Sequence, residues 1–573
     1  MTEKLTITTE RVDDTPLLVT HQERMGIARL LNETFTLHGN WQGLSLGAVV
    51  EGWLAHILSE ANHRLSHVQP WVASRLETLS ASLGQPVRAL DFSDDRLALV
   101  LQALSDDAQW STFEERLNRN LLRVYTLRPR QVRIDTTTCS GYWEVNSDGL
   151  FQFGYSKDHR PDLPQVKVVL STLDPMGMPV ATDVVAGQCA DDPLYIPAIR
   201  RVHAGLQEQG LLYVGDSKMG AIGTRAFVQT LGEYYLTPLS RVHLPEAELR
   251  TYLEPVWNAT QELTAIYRTN VNAETVQIAQ GYETTADLSA IVAGQTVRWT
   301  ERRLVVRSLR QVRAARTRLH KRLAQAEAEV LALNERGRGK RRYANVTALR
   351  QAAQAIVRKR QVQGLLCLDF EVTTAERTIR GYRESPTRTV VEQEAWVRVA
   401  VNEEAVEAWL RPRGWRVYAT NAPAAQLPLA RAVLAYRNQY LVERGCGRLK
   451  GRPLSVTPMY LQRDDHATGL IRLLSIALRI LTLFEFLVRR RLAQEGAELA
   501  GVYKGNPTRS TPRPSAELML EAFEYITLTV VHETHRTLRH LTPLTPVQQR
   551  ILKLLDIPPD IYTRLAAESV IPA

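Results

Sequence analysis

The chain has 573 residues, of which 44% are hydrophobic and 23% are charged, so it can form several domains with large cores. This composition argues against a disordered or low-complexity protein. The opening MTEKLTITTERVDD lacks the basic and then apolar order of a signal peptide, so we expect a cytoplasmic protein. The four cysteines form no CxxC pair, which argues against a disulfide framework or a zinc ribbon.

Helices and then strands are predicted for the first 250 residues. Apolar positions recur at helical spacing between residues 20 and 120, which predicts an all-helical N-terminal domain over residues 1–125. The β-branched segment QVRIDTTTCSGYWEV (131–145) predicts a strand, and GLFQFGYSK, VKVVLSTL and PVATDVVAG continue the strand pattern. A helix with Asp191 or Asp192 near its N-terminus follows, and then the strand LLYVG, a helix around 221–231 and the strand EYYLTPL.

This order of elements predicts a ribonuclease H-like mixed sheet flanked by helices. Three antiparallel strands are followed by helix, strand, helix and strand, and in that topology the first strand lies beside the strand after the first helix. Asp135 would then face Asp216 across adjacent strands. Two carboxylates this close repel each other unless a cation neutralises them, and oxygen ligands of this kind suit Mg²⁺. A two-metal site needs a third carboxylate to complete it.

A strongly basic segment follows the predicted sheet. Residues 302–360 hold 18 Lys and Arg against 3 Asp and Glu, whereas residues 1–120 hold 10 against 16. Arginines recur every three or four residues, which predicts a basic stripe along a helix, and GRGKRRY (337–343) predicts a loop before a second basic helix. We expect this segment to bind a phosphate backbone, although a solvated helical hairpin would have the same pattern. The stripe consists of Arg303, Arg307, Arg310, Arg313 and Arg316, and the loop contributes Lys340, Arg341 and Arg342.

In the segment YRNQYLVERGCGRLKG (436–451), Tyr436, Glu443 and Lys450 are seven residues apart and would align on one helix. This segment resembles the Tyr-x2-Arg-x3-Glu-x6-Lys signature of the DDE transposases of bacterial insertion sequences. Gln439 stands where that family usually has Arg, and Arg437 lies on another helix face. Two glycines, at 445 and 447, weaken the helix and leave open whether Lys450 lies on it.

Other segments resemble one subgroup of the same family, so the resemblance covers most of the chain. They are GNWQGLSLG and ILSEANHRLSHVQPW near the start, DTTT at 135–138 and GYSKDHRPDLPQ at 154–165. The long gap between Asp216 and Glu443 implies a large insertion domain. We therefore predict a helical N-terminal domain (1–125) for DNA-end recognition, a first part of the catalytic core (126–249), the insertion domain (250–412), the last strand and Glu helix of the core (413–500) and a helical C-terminal region (501–573).

The resemblance implies a DNA transposase that cleaves at terminal inverted repeats and joins the freed 3′-OH groups to target DNA. Asp135, Asp216 and Glu443 would be the catalytic residues and would hold two Mg²⁺ ions, for which Mn²⁺ is expected to substitute. The expected partners are double-stranded DNA, at the transposon ends and the target, and a second copy of the chain in a synaptic complex. The protein would be associated with the nucleoid when bound to DNA. Further DNA contacts are expected from Tyr436, Arg437, Gln439, Lys450, Lys157, His159, Arg160 and Lys218.

Two alternatives fit the same residues: a transposase-derived DNA-binding protein that no longer cuts, and a metal-dependent nuclease that cleaves without joining. A membrane protein does not fit. The most apolar stretch, GLIRLLSIALRILTLFEFLV (469–488), contains Arg472, Arg479 and Glu485, each of which is costly at the centre of a bilayer. We predict a buried core helix there.

Overall fold

The structure is a computed structural model that describes residues 6–570, except residues 38, 40, 270–273, 336, 338, 341, 344, 382–385, 533–535 and 567–568. The strands in this part of the chain are β1 (Thr6–Arg11), β2 (Gln131–Ser140), β3 (Gln165–Leu173), β4 (Met178–Ala186), β5 (Leu212–Val214), β6 (Tyr234–Pro238), β7 (Thr264–Thr269), β8 (Thr275–Val292), β9 (Gln295–Ser308), β10 (Leu366–Ile379), β11 (Arg388–Val401), β12 (Trp415–Thr420), β13 (Leu499–Ala500), β14 (Ser510–Thr511), β15 (Thr527–His532), β16 (Arg536–Leu541) and β17 (Ser569–Val570).

The helices are α1 (Thr15–Met25), α2 (Ile27–Thr34), α3 (Leu46–Glu60), α4 (Leu65–Ala73), α5 (Leu76–Leu83), α6 (Asp94–Leu104), α7 (Asp107–Val124), α8 (Tyr195–Leu206), α9 (Ile222–Thr230), α10 (Glu246–Trp257), α11 (Leu309–Leu331), α12 (Val346–Lys359), α13 (Glu403–Leu410), α14 (Leu429–Arg437), α15 (Tyr440–Lys450), α16 (Asp464–Glu495), α17 (Ala516–Glu521), α18 (Pro546–Leu554) and α19 (Asp560–Thr563). The chain divides into two compact units. The first comprises Met1–Thr237, Asp287–Trp299 and Ala435–Ala573, and the second comprises Pro238–Ala286 and Thr300–Leu434.

The central sheet of the first unit has the strand order β4-β3-β2-β5-β6. β2 pairs antiparallel with β3, and β3 with β4, whereas β2, β5 and β6 are parallel to one another. Helices α8 and α9 make the crossover connections that the parallel pairs require. β3 is buried along its whole length, as expected for a strand covered on both faces. The segment GLFQFGYSK was predicted as a strand, but it forms only an isolated bridge between Gln152 and Gln165.

Helix α16 is the central helix of the first unit, and the prediction of a buried core helix there is confirmed. It packs against β4, α6, α3, α15, α17 and α18. Gly469 permits the contact with α6, because a Cβ there would lie 2.0 Å from the carbonyl oxygen of Leu101. The buried Arg472 donates to the carbonyl oxygen of Leu104 (2.9 Å) and pairs with Asp107, while Arg479, fully buried, pairs with Glu114. Along the described chain, no helix combines the length and apolarity that crossing a bilayer requires.

The two ends of the chain share a second sheet in the first unit, with the order β1-β15-β16-β17. β1 pairs antiparallel with β15, from Thr6 opposite His532 to Arg11 opposite Thr527. The predictions of an all-helical N-terminal domain and a helical C-terminal region are therefore wrong in this respect. The segments TITTER and TLTVVH are rich in β-branched residues, which favour strands, and each supplies the partner that the other needs.

The second unit contains strands in the order β12-β9-β8-β7 and a long hairpin of β10 and β11. Helices α11 and α12 pack on one face of the hairpin through apolar side chains that include Val330, Leu349, Ala353, Ala395 and Val397. The two basic helices predicted around residue 340 are thus present as α11 and α12. The stripe begins later than predicted, because the β-branched run at 305–306 pairs with β12 and α11 starts only at Leu309.

We predict that Glu114→Ala destabilises the first unit by about 3–5 kcal/mol, because it leaves the guanidinium of Arg479 buried without a carboxylate. Urea unfolding followed by the fluorescence of the buried Trp110 would measure the shift. The matched control is Glu115→Ala, whose partner Arg119 is exposed, and its cost should stay below about 1 kcal/mol. Equal effects of the two substitutions would contradict the assignment.

Candidate active site

The pairing of β2 with β5 places Asp135 and Asp216 at the same level of the sheet. Arg133 is opposite Val214 in the parallel register, and each acid follows its paired residue by two positions. Asp135 is on β2, whereas Asp216 lies just beyond the end of β5, where the hydroxyl of Thr237 donates to its carbonyl oxygen (2.7 Å). Adjacent strands lie about 4.8 Å apart, so both side chains emerge at one edge of the first unit's sheet.

Glu443 is on α15, which packs against β2 and β3. Gly445 makes this packing close, because a Cβ there would lie 3.3 Å from Leu170, and Leu170 is the residue of β3 opposite Asp135. Cys446, one helical turn after Glu443, is buried and close enough for the charge of Asp135 to raise its pKa, in addition to the effect of burial. The turn of α15 that contains Glu443 therefore lies on the side of β2 that carries Asp135.

The charges of both other acids act on Asp135. Burial raises the pKa of Asp135, and the charges of Asp216 and Glu443 raise it further, while the ammonium of Lys157 lowers it. The net shift is upward, so the ionised form of Asp135 is disfavoured in its surroundings. A site of this kind gains stability from a cation.

Lys157 supplies positive charge at this position. Its Nζ lies 3.6 Å from Asp135 Oδ1 and 3.7 Å from Asp191 Oδ2, and it donates to the carbonyl oxygen (2.5 Å) and hydroxyl (2.6 Å) of Thr136. The other oxygen of Asp191, Oδ1, is 2.7 Å from Nζ of Lys167. Burial alone would raise the pKa of Asp191, but its two lysine neighbours hold that pKa below its usual value.

Asp216 is oriented by two hydrogen bonds to its Oδ1, one from the hydroxyl of Tyr195 (2.7 Å) and one from the main-chain N–H of Lys218 (2.8 Å). Burial and the Asp216 carboxylate raise the pKa of Tyr195 well above its usual value, so the phenol keeps its proton and remains a donor. The side chain of Lys218 is exposed and lies 3.5 Å from Asp192. Of the candidate DNA contacts, Lys157 and Lys218 are thus placed beside the acids.

The donor set suits a divalent cation, because carboxylate oxygens are the ligands that Mg²⁺ and Mn²⁺ prefer. Within the described residues, no group of three or more His, Cys, Asp or Glu side chains is arranged closely enough to hold a metal ion. Lys157 provides the cation nearest to Asp135 in this arrangement. The carboxylate oxygens are therefore suitable ligand atoms for a divalent cation. The three side chains would have to move closer together to ligate one.

The residues of the signature lie on two helices. Tyr436 and Arg437 end α14, and α15 begins only at Tyr440, so the three residues seven apart do not share one helix as predicted. Lys450 is the last residue of α15 and pairs with Asp158. The helix thus persists through its two glycines and breaks instead at residues 438–439.

Gln439, which stands where the signature that the segment resembles has Arg, is held by a buried guanidinium. Its Oε1 accepts from Nη1 of Arg133 (3.3 Å), whose Nη2 donates to the carbonyl oxygen of Ala435 (2.7 Å) and pairs with Asp174 (2.7 Å). Arg133 is completely buried on β2, two residues before Asp135. These bonds tie the α14–α15 junction to the strand that carries the first acid.

The remaining candidate DNA contacts are dispersed. His159 is exposed, and Arg160 pairs with Asp162 (2.7 Å) in the same loop. The prediction for Arg303 is wrong, because it is buried on β9 and paired with Glu301 (2.6 Å). Arg307, also on β9, donates to the carbonyl oxygens of Leu410 and Arg413 instead of lying on a helix.

Three of the other basic candidates lie on the surface of the second unit. Arg310 is exposed on the first turn of α11. Lys340 pairs with Glu335 (2.6 Å), and Arg342 is exposed near Glu392 (3.7 Å). Arg341 lies outside the described residues. The exposed charge of the basic segment is therefore on α11, on α12 and in the turn between them.

Sequence reasoning did not assign site roles to Asp191 or Tyr195. Asp191 was considered only as a helix-capping residue, but it makes no side-chain capping bond and faces Lys157 and Lys167 instead. Tyr195 begins α8, and a single aromatic residue at that position has no local pattern that predicts a bond to Asp216.

No protein-family model matches this sequence, and no curated protein matches it either. Among solved structures, the chain is similar to the piggyBac transposase in its synaptic complex with hairpin DNA. The match has a TM-score of 0.34 and 8% identity, and it covers 98% of this chain and 85% of that one. A similarity of this degree does not transfer a function.

We predict that Gln439→Arg destabilises the first unit by about 1–3 kcal/mol, because a second guanidinium would face the buried Arg133. Gln439→Met removes the acceptor without adding a charge and should cost only about 1 kcal/mol. Thermal unfolding of the two variants beside the native protein would measure the difference. If Gln439→Arg were as stable as the native chain, the contact with Arg133 would not constrain this position.

Proposed function

We propose that the protein is a DDE transposase of the insertion-sequence type, with a ribonuclease H-like catalytic core. The observation that carries the proposal is that Asp135 and Asp216 each follow the last pair of the adjacent parallel strands β2 and β5 by two residues, with the helix of Glu443 packed against β2. The strand order β4-β3-β2-β5-β6, with an antiparallel first half and parallel last strands, supports the same fold. The resemblance of the segment at 436–451 supports the family.

Asp135, Asp216 and Glu443 would hold two Mg²⁺ ions, which supply activation of the attacking oxygen and stabilisation of the leaving 3′ oxygen during displacement at phosphorus. Tyr195 keeps Asp216 oriented toward the edge of the sheet through its 2.7 Å hydrogen bond. Lys157 and Lys218 offer positive charge to a phosphate at the same edge. Arg133 fixes the start of the glutamate helix relative to β2.

The first cut would free a 3′-OH at a transposon end, and that hydroxyl would attack target DNA. Double-stranded DNA would bind along the exposed basic residues of α11 and α12, since a phosphate backbone is neutralised by Lys and Arg. We infer that the protein works in the cytoplasm on nucleoid DNA and that two copies pair the ends in a synaptic complex.

We predict that Mg²⁺ supports cleavage at the tips of the repeats that flank the gene and that Glu443→Gln lowers the cleavage rate by at least about a hundredfold with DNA binding retained. Glu144→Gln, which changes an exposed glutamate, is the control and should cleave normally. Gel analysis of labelled repeat DNA would measure cutting and joining.

The other outcomes of this experiment distinguish the alternatives. Binding without cleavage by the native protein would indicate a DNA-binding protein derived from a transposase. Cleavage without joining would indicate a nuclease. Unchanged cutting by Glu443→Gln would show that another acid completes the site.

For the basic surface, we predict that Arg310→Ala with Arg313→Ala weakens DNA binding and lowers the slope of log K against log salt by about 0.9 for each phosphate that the protein no longer neutralises. Both arginines are exposed on α11. The control is Arg388→Ala with Arg398→Ala, which removes two exposed charges from the hairpin face opposite α11. Equal reductions by both pairs would contradict a binding surface on α11, and fluorescence anisotropy at several salt concentrations would decide.

A further inference from the structure

Lys157 occupies an unusual position, because its ammonium lies between two carboxylates of which only one is a proposed metal ligand. Asp135 is a proposed metal ligand, whereas Asp191 lies outside the three acids and keeps Lys167 as a partner of its own. The distances from the Lys157 Nζ to the two carboxylates are nearly equal, at 3.6 and 3.7 Å. A small side-chain movement would therefore convert either contact into a direct ion pair.

The main chain of Lys157 is held in place, and its ammonium donates to the carbonyl oxygen and hydroxyl of Thr136, the residue that follows Asp135. Its main-chain N–H donates to the hydroxyl of Thr138 on β2 (3.2 Å), and the next residue, Asp158, pairs with Lys450 at the end of α15. The Lys157 side chain is 30% exposed. Lysine has a flexible four-carbon stem, so the ammonium can shift between the two carboxylates beside Thr136 while the loop stays in place.

We propose that Lys157 is the resident counter-ion of the carboxylate site: its ammonium neutralises Asp135 when no divalent cation is bound and moves to Asp191 when one binds. This inference rests on the proposed function, because it takes Asp135 as a metal ligand. A divalent cation and an ammonium beside the same carboxylate repel each other, so the metal has to displace Lys157. Asp191 is the acceptor for the displaced charge, which lowers the cost of displacement.

Removing the ammonium should therefore strengthen metal binding. We expect Lys157→Met to bind Mn²⁺ about tenfold more tightly than the native protein, since a competing cation is absent. Without metal, the variant should unfold at a lower temperature than the native chain, because Asp135 and Asp191 lose their shared counter-ion, and Mn²⁺ should raise its unfolding temperature by a larger increment. Both effects are measured on full-length protein without DNA.

The experiment is a titration of the metal-free protein with Mn²⁺, in which the electron paramagnetic resonance signal of free Mn²⁺ reports binding. Lys218→Met is the matched control, because it removes the same charge close to Asp216, and its exposed ammonium pairs with Asp192 and not with Asp135. It should change the Mn²⁺ affinity less than Lys157→Met. Asp135→Asn should abolish the Mn²⁺ binding whose affinity the other variants change.

A double-mutant cycle tests the role of Asp191 and does not depend on Lys157→Met alone. Asp191→Asn should weaken Mn²⁺ binding in the native background and have little effect in the Lys157→Met background, because it acts by accepting the displaced ammonium. An equal effect in both backgrounds would show a direct electrostatic role and overturn the displacement. Should Lys157→Met not fold, Lys157→Gln replaces it in the cycle.

The outcomes separate this inference from the proposed function. If the native protein binds Mn²⁺ and Lys157→Met binds it with the same affinity, Lys157 is not the counter-ion of the site. The metal site itself would still be supported. Native protein that binds no Mn²⁺ and cleaves no repeat DNA would refute the proposed function itself.

Discussion

Repulsion between carboxylates is the constraint on which the candidate site depends. The main-chain pairing of β2 and β5 fixes Asp135 and Asp216 at one level, so neither can withdraw without breaking a central strand pair. The neighbouring groups compensate for this repulsion: Lys157 contributes a positive charge, and the Tyr195 hydroxyl donates to Asp216. A protein that only needed a stable sheet would gain more from apolar residues at these positions, because buried carboxylates are costly. A cation beside them would offset this cost.

The glutamate helix is coupled to the same strand by a second buried charge. Arg133 reaches from β2 to Asp174, to the carbonyl oxygen of Ala435 and to Gln439, where α14 gives way to α15. Position 439 is thus occupied by Gln, and a guanidinium from β2 reaches the junction. The same bonds that position the helix relative to β2 therefore also constrain the residue at position 439.

The sequence predicted much of the first unit's sheet, because β-branched segments and helical periodicity are local patterns that survive in the folded chain. It proposed the three acids through strand order and a short motif, and their role stays a prediction. It could not predict the partners of Lys157, Gln439 or Asp216, since these contacts join segments far apart in the chain. Arg303 shows the converse error: a spacing typical of a helix lies on β9, where the neighbouring β-branched residues pair with β12.

The pairing of β1 with β15 has a consequence for synthesis on the ribosome. The strand at residues 6–11 emerges first, and its partner at residues 527–532 is made only after both Asp135 and Glu443 have been translated. Contacts between such distant segments form late and leave earlier strands exposed. A gene copy interrupted before residue 527 therefore encodes a chain with all three acids and an unpaired first strand. Such a chain leaves the main-chain groups of residues 6–11 without the partner strand that they have in the complete first unit.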